Sequence, residues 1–163
     1  MKKTVLLGDS ITEWNPLKHD EILNLGIAGD TTLDIWSRIE GIKKMECNKV
    51  IFKAGINDIL KKFSLEKSCD FYKKILQLLH INFEEVILLS ILPIEKHERI
   101  NAKVRKLNKD IEEIAEYNNF RFLDIYHLFC DEKLNLKSEY STDGIHLSPQ
   151  GYEVLNKEIL KLL

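Results

Sequence analysis

Three residue types that together perform acyl transfer occur in this chain at spacings that could bring them into one site. Ser10 follows a short apolar run and the dipeptide Gly8-Asp9, which is typical of a turn between a strand and a helix. Asp143 lies three residues before His146, so its carboxylate can reach the imidazole ring if both lie in one tight turn. A serine nucleophile needs a base that accepts its proton and a carboxylate that orients that base. We therefore interpret Ser10 as the nucleophile, His146 as the base and Asp143 as the residue that orients it.

Acyl transfer also needs hydrogen-bond donors for the negative charge that develops on the carbonyl oxygen. The candidates are the backbone N–H of Ser10, the backbone N–H of Gly29 and the side-chain amide of Asn57. Glycine suits the second position because its backbone can approach a substrate closely. An amide suits the third because it donates hydrogen bonds without carrying a charge. These donors predict an oxyanion hole.

Each of these segments also has an ordinary structural interpretation. The serine turn alone is typical of a capped helix start, and the Asp-Gly before the histidine is a turn signal. Gly26 and Gly29 could instead cradle a phosphate at a helix N-terminus, as in a non-catalytic flavodoxin-like nucleotide or FMN protein. Thr12 stands where a G-x-S-x-G elbow would have its second glycine, which argues against an ordinary α/β-hydrolase. The four segments occurring together favour the catalytic interpretation.

Short apolar runs alternate with longer amphipathic stretches along the chain. The runs predict five strands, at residues 4–7, 22–25, 50–52, 86–89 and 120–123. Ser64 is placed as the N-cap of one predicted helix, and Ser148 followed by Pro149 begins the last one. Apolar residues recur at three- and four-residue spacing in four stretches: Leu33, Trp36, Ile39 and Ile42; Leu65, Cys69, Tyr72, Ile75, Leu76 and Leu79; Val104, Leu107, Ile111, Ile114 and Ala115; and Tyr152, Leu155 and Ile159.

This alternation predicts a parallel sheet covered by helices on both faces. We expect an α/β fold with three layers (α/β/α), a flavodoxin-like doubly wound five-stranded sheet of order 2-1-3-4-5, in a single domain over residues 1–163. Ligands bind such sheets beyond the carboxyl ends of the strands. Three of the polar segments follow the first three strands, and the fourth precedes the last helix, so all four are expected on that rim.

Composition excludes several partners. The chain has 163 residues with a formal net charge of -2, which gives no basic surface for nucleic acid. The apolar run near the N-terminus is too short for a secretory signal or a membrane span. Three widely spaced cysteines indicate free thiols, and we expect a cytoplasmic protein. Asp143 and His146 are taken as the only close Asp/His pair at the rim, fewer ligands than zinc needs, so neither a metal nor a cofactor is expected.

The motifs resemble those of the GDSL, or SGNH, hydrolase family over nearly the whole chain. The similar blocks are Gly8-Asp9-Ser10-Ile11, residues 24–32, Gly55-Ile56-Asn57-Asp58 and residues 143–148. The resemblance implies a serine esterase with Ser10, Asp143 and His146 as its catalytic triad. It also implies that Gly29 and Asn57 are oxyanion donors.

Within that family the chain is most similar to the small catalytic subunits of platelet-activating-factor acetylhydrolase, mainly over residues 24–38. This resemblance implies a small-molecule ester substrate with a short acyl group, acetyl above all, and a homodimer. An acyl-carbohydrate deacetylase and a thioesterase are the alternatives on the same site. Lys53 departs from the pattern, since an apolar residue is expected there, and could extend to the rim or face substrate. Trp14 could line the pocket or belong to the core.

Overall fold

The protein contains one five-stranded parallel sheet. The computed structural model describes residues 3–44 and 46–163, apart from the side chains of residues 43 and 44. The strands, in the spatial order β2-β1-β3-β4-β5, confirm the predicted doubly wound topology. They are β1 (Lys3–Gly8), β2 (Ile22–Gly26), β3 (Cys47–Lys53), β4 (Glu85–Leu89) and β5 (Arg121–Leu123).

Helices cover both faces of this sheet. They are α1 (Ser10–Glu13), α2 (Thr32–Arg38), α3 (Ile56–Leu60), α4 (Leu65–Asn82), α5 (Glu98–Tyr117), α6 (Tyr126–Phe129) and α7 (Pro149–Leu160), with two 3₁₀ turns at Ile39–Lys44 and Ser138–Tyr140. Adjacent residues of one strand point to opposite faces, so the core has two halves. Val5 and Leu7 pack with α2, α4 and α5, whereas Leu6 packs with α6 and α7. The expected three-layer architecture is therefore present.

The predicted helix signals hold, with one difference. Ser64 accepts a hydrogen bond from the Lys67 N–H, and Ser148 accepts one from the Gly151 N–H, so both serines are N-caps. Ile39 and Ile42 were expected on the same helix as Leu33, but α2 ends at Arg38 and they lie in a 3₁₀ turn. Both are still buried, because residues three apart share a face in either kind of helix.

Two further expectations concern the described residues only. None of the helices in that part of the chain has the length and hydropathy needed to cross a membrane. Cys47, Cys69 and Cys130 are all free thiols, as their odd number and wide spacing predicted.

Candidate active site

The structure brings Ser10, His146 and Asp143 into one hydrogen-bonded chain. His146 Nε2 lies 3.1 Å from Ser10 Oγ, and His146 Nδ1 lies 2.6 Å from Asp143 Oδ2. Because the carboxylate can only accept, it fixes the imidazole proton on Nδ1 and leaves Nε2 to accept from the serine hydroxyl. The arrangement is competent for general-base activation of Ser10.

A tight turn holds the aspartate and histidine together. Asp143 Oδ1 accepts hydrogen bonds from the N–H of His146 at 2.8 Å and of Ile145 at 3.0 Å, while Gly144 has φ +94°. These hydrogen bonds, from the His146 backbone first and its side chain second, lower the pKa of Asp143 to about 2. The carboxylate therefore stays ionised throughout the pH range in which a histidine base works.

Ser10 begins α1 directly at the carboxyl end of β1. Asp9 is the N-cap, and its Oδ1 accepts from the Ile11 N–H at 3.1 Å. The preceding Gly8 is required by close packing, since a Cβ there would lie 2.2 Å from Thr12 Oγ1 and 2.6 Å from the Lys53 carbonyl oxygen. The turn therefore packs tightly against Thr12 and the end of β3, and this packing fixes the position of Ser10.

Of the two remaining predicted donors, Gly29 lies on the loop after β2 and Asn57 lies in the first turn of α3, and the two segments are in contact. Gly29 has φ +83°, and a Cβ there would meet nothing within 4 Å, so the space beside its backbone is open. Asn57 Nδ2 donates to the Asp30 carbonyl oxygen at 2.9 Å. This hydrogen bond uses one of the two amide protons and leaves the other available to a substrate oxygen. Lys61 Nζ donates to the Gly29 carbonyl oxygen at 3.0 Å and holds that loop from the outside.

Asp58 anchors the segments that carry the two candidate donors Gly29 and Asn57, a role that the sequence analysis missed. Its buried carboxylate accepts from the Thr32 N–H at 2.8 Å, from Thr32 Oγ1 at 2.5 Å and from Ser68 Oγ at 2.8 Å. These hydrogen bonds fasten the first turns of α2 and α4 to the segment that carries Asn57. In the sequence, the only indication of this role was the position of Asp58 next to Asn57.

Arg38 was missed as well, although it lies inside the stretch that carries the family resemblance. Its Nε donates to Asp30 Oδ2 at 2.7 Å, and its Nη2 donates to the carbonyl oxygens of Leu25 at 3.0 Å and Gly8 at 3.3 Å. One guanidinium thus ties the carboxyl ends of β1 and β2 to the loop that carries Gly29.

The structure settles where Trp14 and Lys53 lie. Trp14 is not a core residue: it is 51% exposed, and its ring lies 4.4 Å from the His146 ring, centroid to centroid. Lys53 does not extend to the rim, because it is only 4% exposed and its Nζ lies 3.3 Å from Asp9 Oδ1. Of the possible positions considered for Lys53, the structure shows neither the rim nor a substrate-facing one, because a buried carboxylate holds the ammonium inside.

One expectation about the rim is also wrong. Asp124 follows β5 and, at the same three-residue spacing as the triad pair, lies 3.5 Å from His127. It is a second close Asp/His pair, and both side chains are largely exposed. Within residues 3–44 and 46–163, no group of three or more His, Cys, Asp or Glu side chains is arranged to hold a metal ion.

A large cleft lies elsewhere in the described part of the chain. It has a volume of about 660 Å³, lies between α4 and α5, and is lined by residues such as Lys73, His80, Asp110 and Tyr117, without any member of the triad. Ser10, His146 and Asp143 lie outside this cleft, so the chemistry of the side chains identifies the candidate site better than concavity does.

Comparisons with known proteins agree with this geometry. Residues 6–154 match the GDSL-like Lipase/Acylhydrolase family. A Streptococcus pneumoniae protein described as a platelet activating factor superposes with a TM-score of 0.89 at 28% identity, covering 99% of this chain and 83% of that one. A GDSL-like lipase from Bacteroides thetaiotaomicron superposes with a TM-score of 0.86 at 26% identity, covering 99% of this chain and 89% of that one.

Among curated proteins, an N-acylneuraminate cytidylyltransferase from Escherichia coli is 31% identical over 173 residues. That alignment covers 97% of this chain but only 39% of the relative, so this chain spans well under half the length of the protein it matches. The family match covers most of the chain and includes each segment of the site. The chain therefore belongs to the GDSL-like lipase/acylhydrolase family, a family of carboxylic ester hydrolases.

Proposed function

We propose that this chain hydrolyses small carboxylic esters, with Ser10 as nucleophile, His146 as general base and Asp143 as its orienting carboxylate. The observation that carries the proposal is the continuous hydrogen-bonded chain, 3.1 Å from Ser10 to His146 and 2.6 Å from His146 to Asp143. Ser10 Oγ attacks the ester carbonyl carbon while His146 Nε2 accepts the hydroxyl proton. The imidazolium then protonates the leaving alcohol, and water releases the acid by the same steps.

The oxyanion is assigned to the Ser10 N–H, the Gly29 N–H and the Asn57 amide. The open space beside Gly29 and the second amide proton of Asn57 support this assignment. We expect Asn57→Ala to lower kcat by roughly 10²–10³-fold, because one donor to the transition-state charge is lost. Steady-state hydrolysis of p-nitrophenyl acetate measures this, with Asn118→Ala, an exposed asparagine at the end of α5, as the matched control. Full activity of Asn57→Ala on every ester tested would remove Asn57 from the oxyanion hole.

The pH dependence of the reaction should report the base and not the carboxylate. The ionised form of Asp143 stabilises the folded protein above its unfolded pKa of about 3.9, and this contribution is lost only as pH falls through its folded pKa of about 2. We therefore expect kcat/KM to be lower at pH 5 than at pH 8, because general-base catalysis by a histidine requires the neutral imidazole, with the protein still folded at both pH values. Circular dichroism at each pH separates this fall from unfolding, and a flat rate profile would contradict the assignment of the base.

We further propose a short acyl group, acetyl above all. The cleft between α4 and α5 is not lined by Ser10, and the Trp14 ring lies 4.4 Å from the ring of His146, where it takes up space beside the nucleophile. The likeness to a protein described as a platelet activating factor supports the same preference.

An acyl-carbohydrate deacetylase is the second candidate, and one observation favours it. Nearly the whole chain aligns with part of a protein that is named for its action on N-acylneuraminate, an acylated sugar acid. Transfer of a cytidylyl group is not carried over, since the alignment covers only 39% of that protein. The substrate would then be an O-acetylated sugar, attacked by Ser10 in the same way.

A substrate panel separates these candidates. We would measure hydrolysis of p-nitrophenyl esters from acetyl to octanoyl, of O-acetylated sugars including an O-acetylated N-acylneuraminate, and of acyl-CoA thioesters. The proposal predicts a maximum at acetyl or butyryl among the aryl esters. A higher kcat/KM on the acetylated sugar selects the deacetylase, and one on acyl-CoA selects the thioesterase. Loss of all activity as the acyl chain shortens would contradict the short-acyl proposal.

A further inference from the structure

A buried ion pair lies directly beneath the nucleophile turn and has no part in the mechanism above. Lys53 is the last residue of β3, where it is the register partner of Gly8 on β1. Its ammonium lies 3.3 Å from Asp9 Oδ1, with Asp9 fully buried and Lys53 only 4% exposed. A charged pair removed from water to this extent is costly and is seldom retained for stability alone.

The carboxylate of Asp9 has few partners besides this lysine. Oδ1 accepts from the Ile11 N–H and from Lys53 Nζ, whereas Oδ2 has no hydrogen-bond partner among the described residues. The lysine is therefore the group that balances the charge of Asp9.

The position of this charge matters for the proposed reaction. A single peptide unit joins Asp9 to Ser10, and the N–H of that unit belongs to Ser10, one of the proposed oxyanion donors. An unbalanced carboxylate there would oppose the negative charge that develops on the substrate oxygen. In a buried site such repulsion is only weakly screened by solvent.

We propose that Lys53 is a positioning residue for catalysis: its buried ammonium neutralises Asp9, so that the turn carrying Ser10 presents its hydroxyl and its N–H without a competing negative charge. The lysine acts through Asp9 and does not contact substrate. This inference rests on the proposed role of Ser10, and it explains why a lysine occupies a strand position where an apolar residue was expected.

The test compares three variants: Lys53→Met, Asp9→Asn and the double variant. Methionine keeps the length of the lysine stem, and asparagine can still accept the Ile11 N–H as an N-cap. Each kcat is expressed per serine titrated with a p-nitrophenyl alkylphosphonate, so that misfolded protein does not count. Thermal unfolding is measured beside it.

We expect Lys53→Met to lower kcat by about 10- to 100-fold with KM changed by less than about threefold, because the unbalanced carboxylate acts on the transition state. Asp9→Asn and the double variant should each be at least about fivefold more active than Lys53→Met, since neither contains that carboxylate. If the contact between Lys53 and Asp9 served only the stability of the fold, the two single variants would instead lose thermal stability to a similar extent. Their kcat per titrated serine would then change little.

Two results would overturn the inference. One is a Lys53→Met protein with wild-type kcat per titrated serine. The other is a double variant much less active than Asp9→Asn, because the lysine would then act independently of Asp9. This second comparison remains available if Lys53→Met fails to fold. An unlabelled, inactive wild-type protein would instead refute the role of Ser10 itself, so the two failures are distinguishable.

Discussion

Replacing Ser10 with alanine is expected to reduce kcat on p-nitrophenyl acetate by roughly 10⁵–10⁶-fold, to the level left by binding and the oxyanion donors. In the proposed mechanism the Ser10 hydroxyl oxygen forms the acyl-enzyme, and it lies 3.1 Å from His146 Nε2, the proposed base. Water cannot simply take its place, because the nucleophile is positioned by α1 and by the packed turn below it. The effect should fall on kcat, with little change in KM.

The matched control is Ser37→Ala, an exposed serine on α2 whose hydroxyl donates only to the Leu33 carbonyl oxygen. It should keep wild-type kcat, and both variants should unfold at temperatures close to wild type. A Ser10→Ala protein that retained more than about 1% of wild-type kcat would show that another group is the nucleophile.

Replacing Asp143 with asparagine should lower kcat by about 10⁴-fold while leaving the fold intact. The asparagine carbonyl can still accept the two backbone N–H groups that Asp143 Oδ1 now accepts, so the turn is kept. The amide nitrogen would then face His146 Nδ1, where an acceptor is needed. The imidazole would adopt the other tautomer, with its proton on Nε2 directed at Ser10. In that form Nε2 cannot accept the proton of the Ser10 hydroxyl.

The chain provides a close control for this variant. Asp124 and His127 have the same spacing and lie 3.5 Å apart, but the structure places them outside the hydrogen-bonded chain of Ser10. Asp124→Asn should therefore leave kcat unchanged within about twofold, well inside the range of ordinary surface substitutions. If the kcat of Asp143→Asn on p-nitrophenyl acetate fell no further than that of Asp124→Asn, the role assigned to the Asp143 carboxylate would be wrong.

The sheet was predictable because each strand contains a short apolar run, and the runs of the three inner strands β1, β3 and β4 are buried as expected for a covered parallel sheet. The edge strands β2 and β5 are only partly buried. The long helices were predictable from one apolar stripe each and from the caps at Ser64 and Ser148. The change from α-helix to 3₁₀ helix at Ile39 was not predictable, because the same spacing of buried residues fits both kinds of helix.

Residues of the candidate site were found where the chemistry is local in sequence. Asp143 and His146 are three residues apart, and Ser10 directly follows β1. Groups that act across the fold gave no such signal. Asp58 contacts Thr32, 26 residues away, and Lys53 contacts Asp9, 44 residues away. Such pairings depend on strand order and register, which a pattern of residue types does not specify.

The most direct test of the central claim is labelling with a p-nitrophenyl alkylphosphonate, followed by intact-mass measurement and peptide mapping. The proposed mechanism predicts one adduct per chain, on the peptide that contains Ser10, forming more slowly at pH 5 than at pH 8 and absent from Ser10→Ala. A protein that hydrolyses p-nitrophenyl acetate but takes up no phosphonate on Ser10, or takes it up on another residue, would contradict the assignment of Ser10 as the nucleophile.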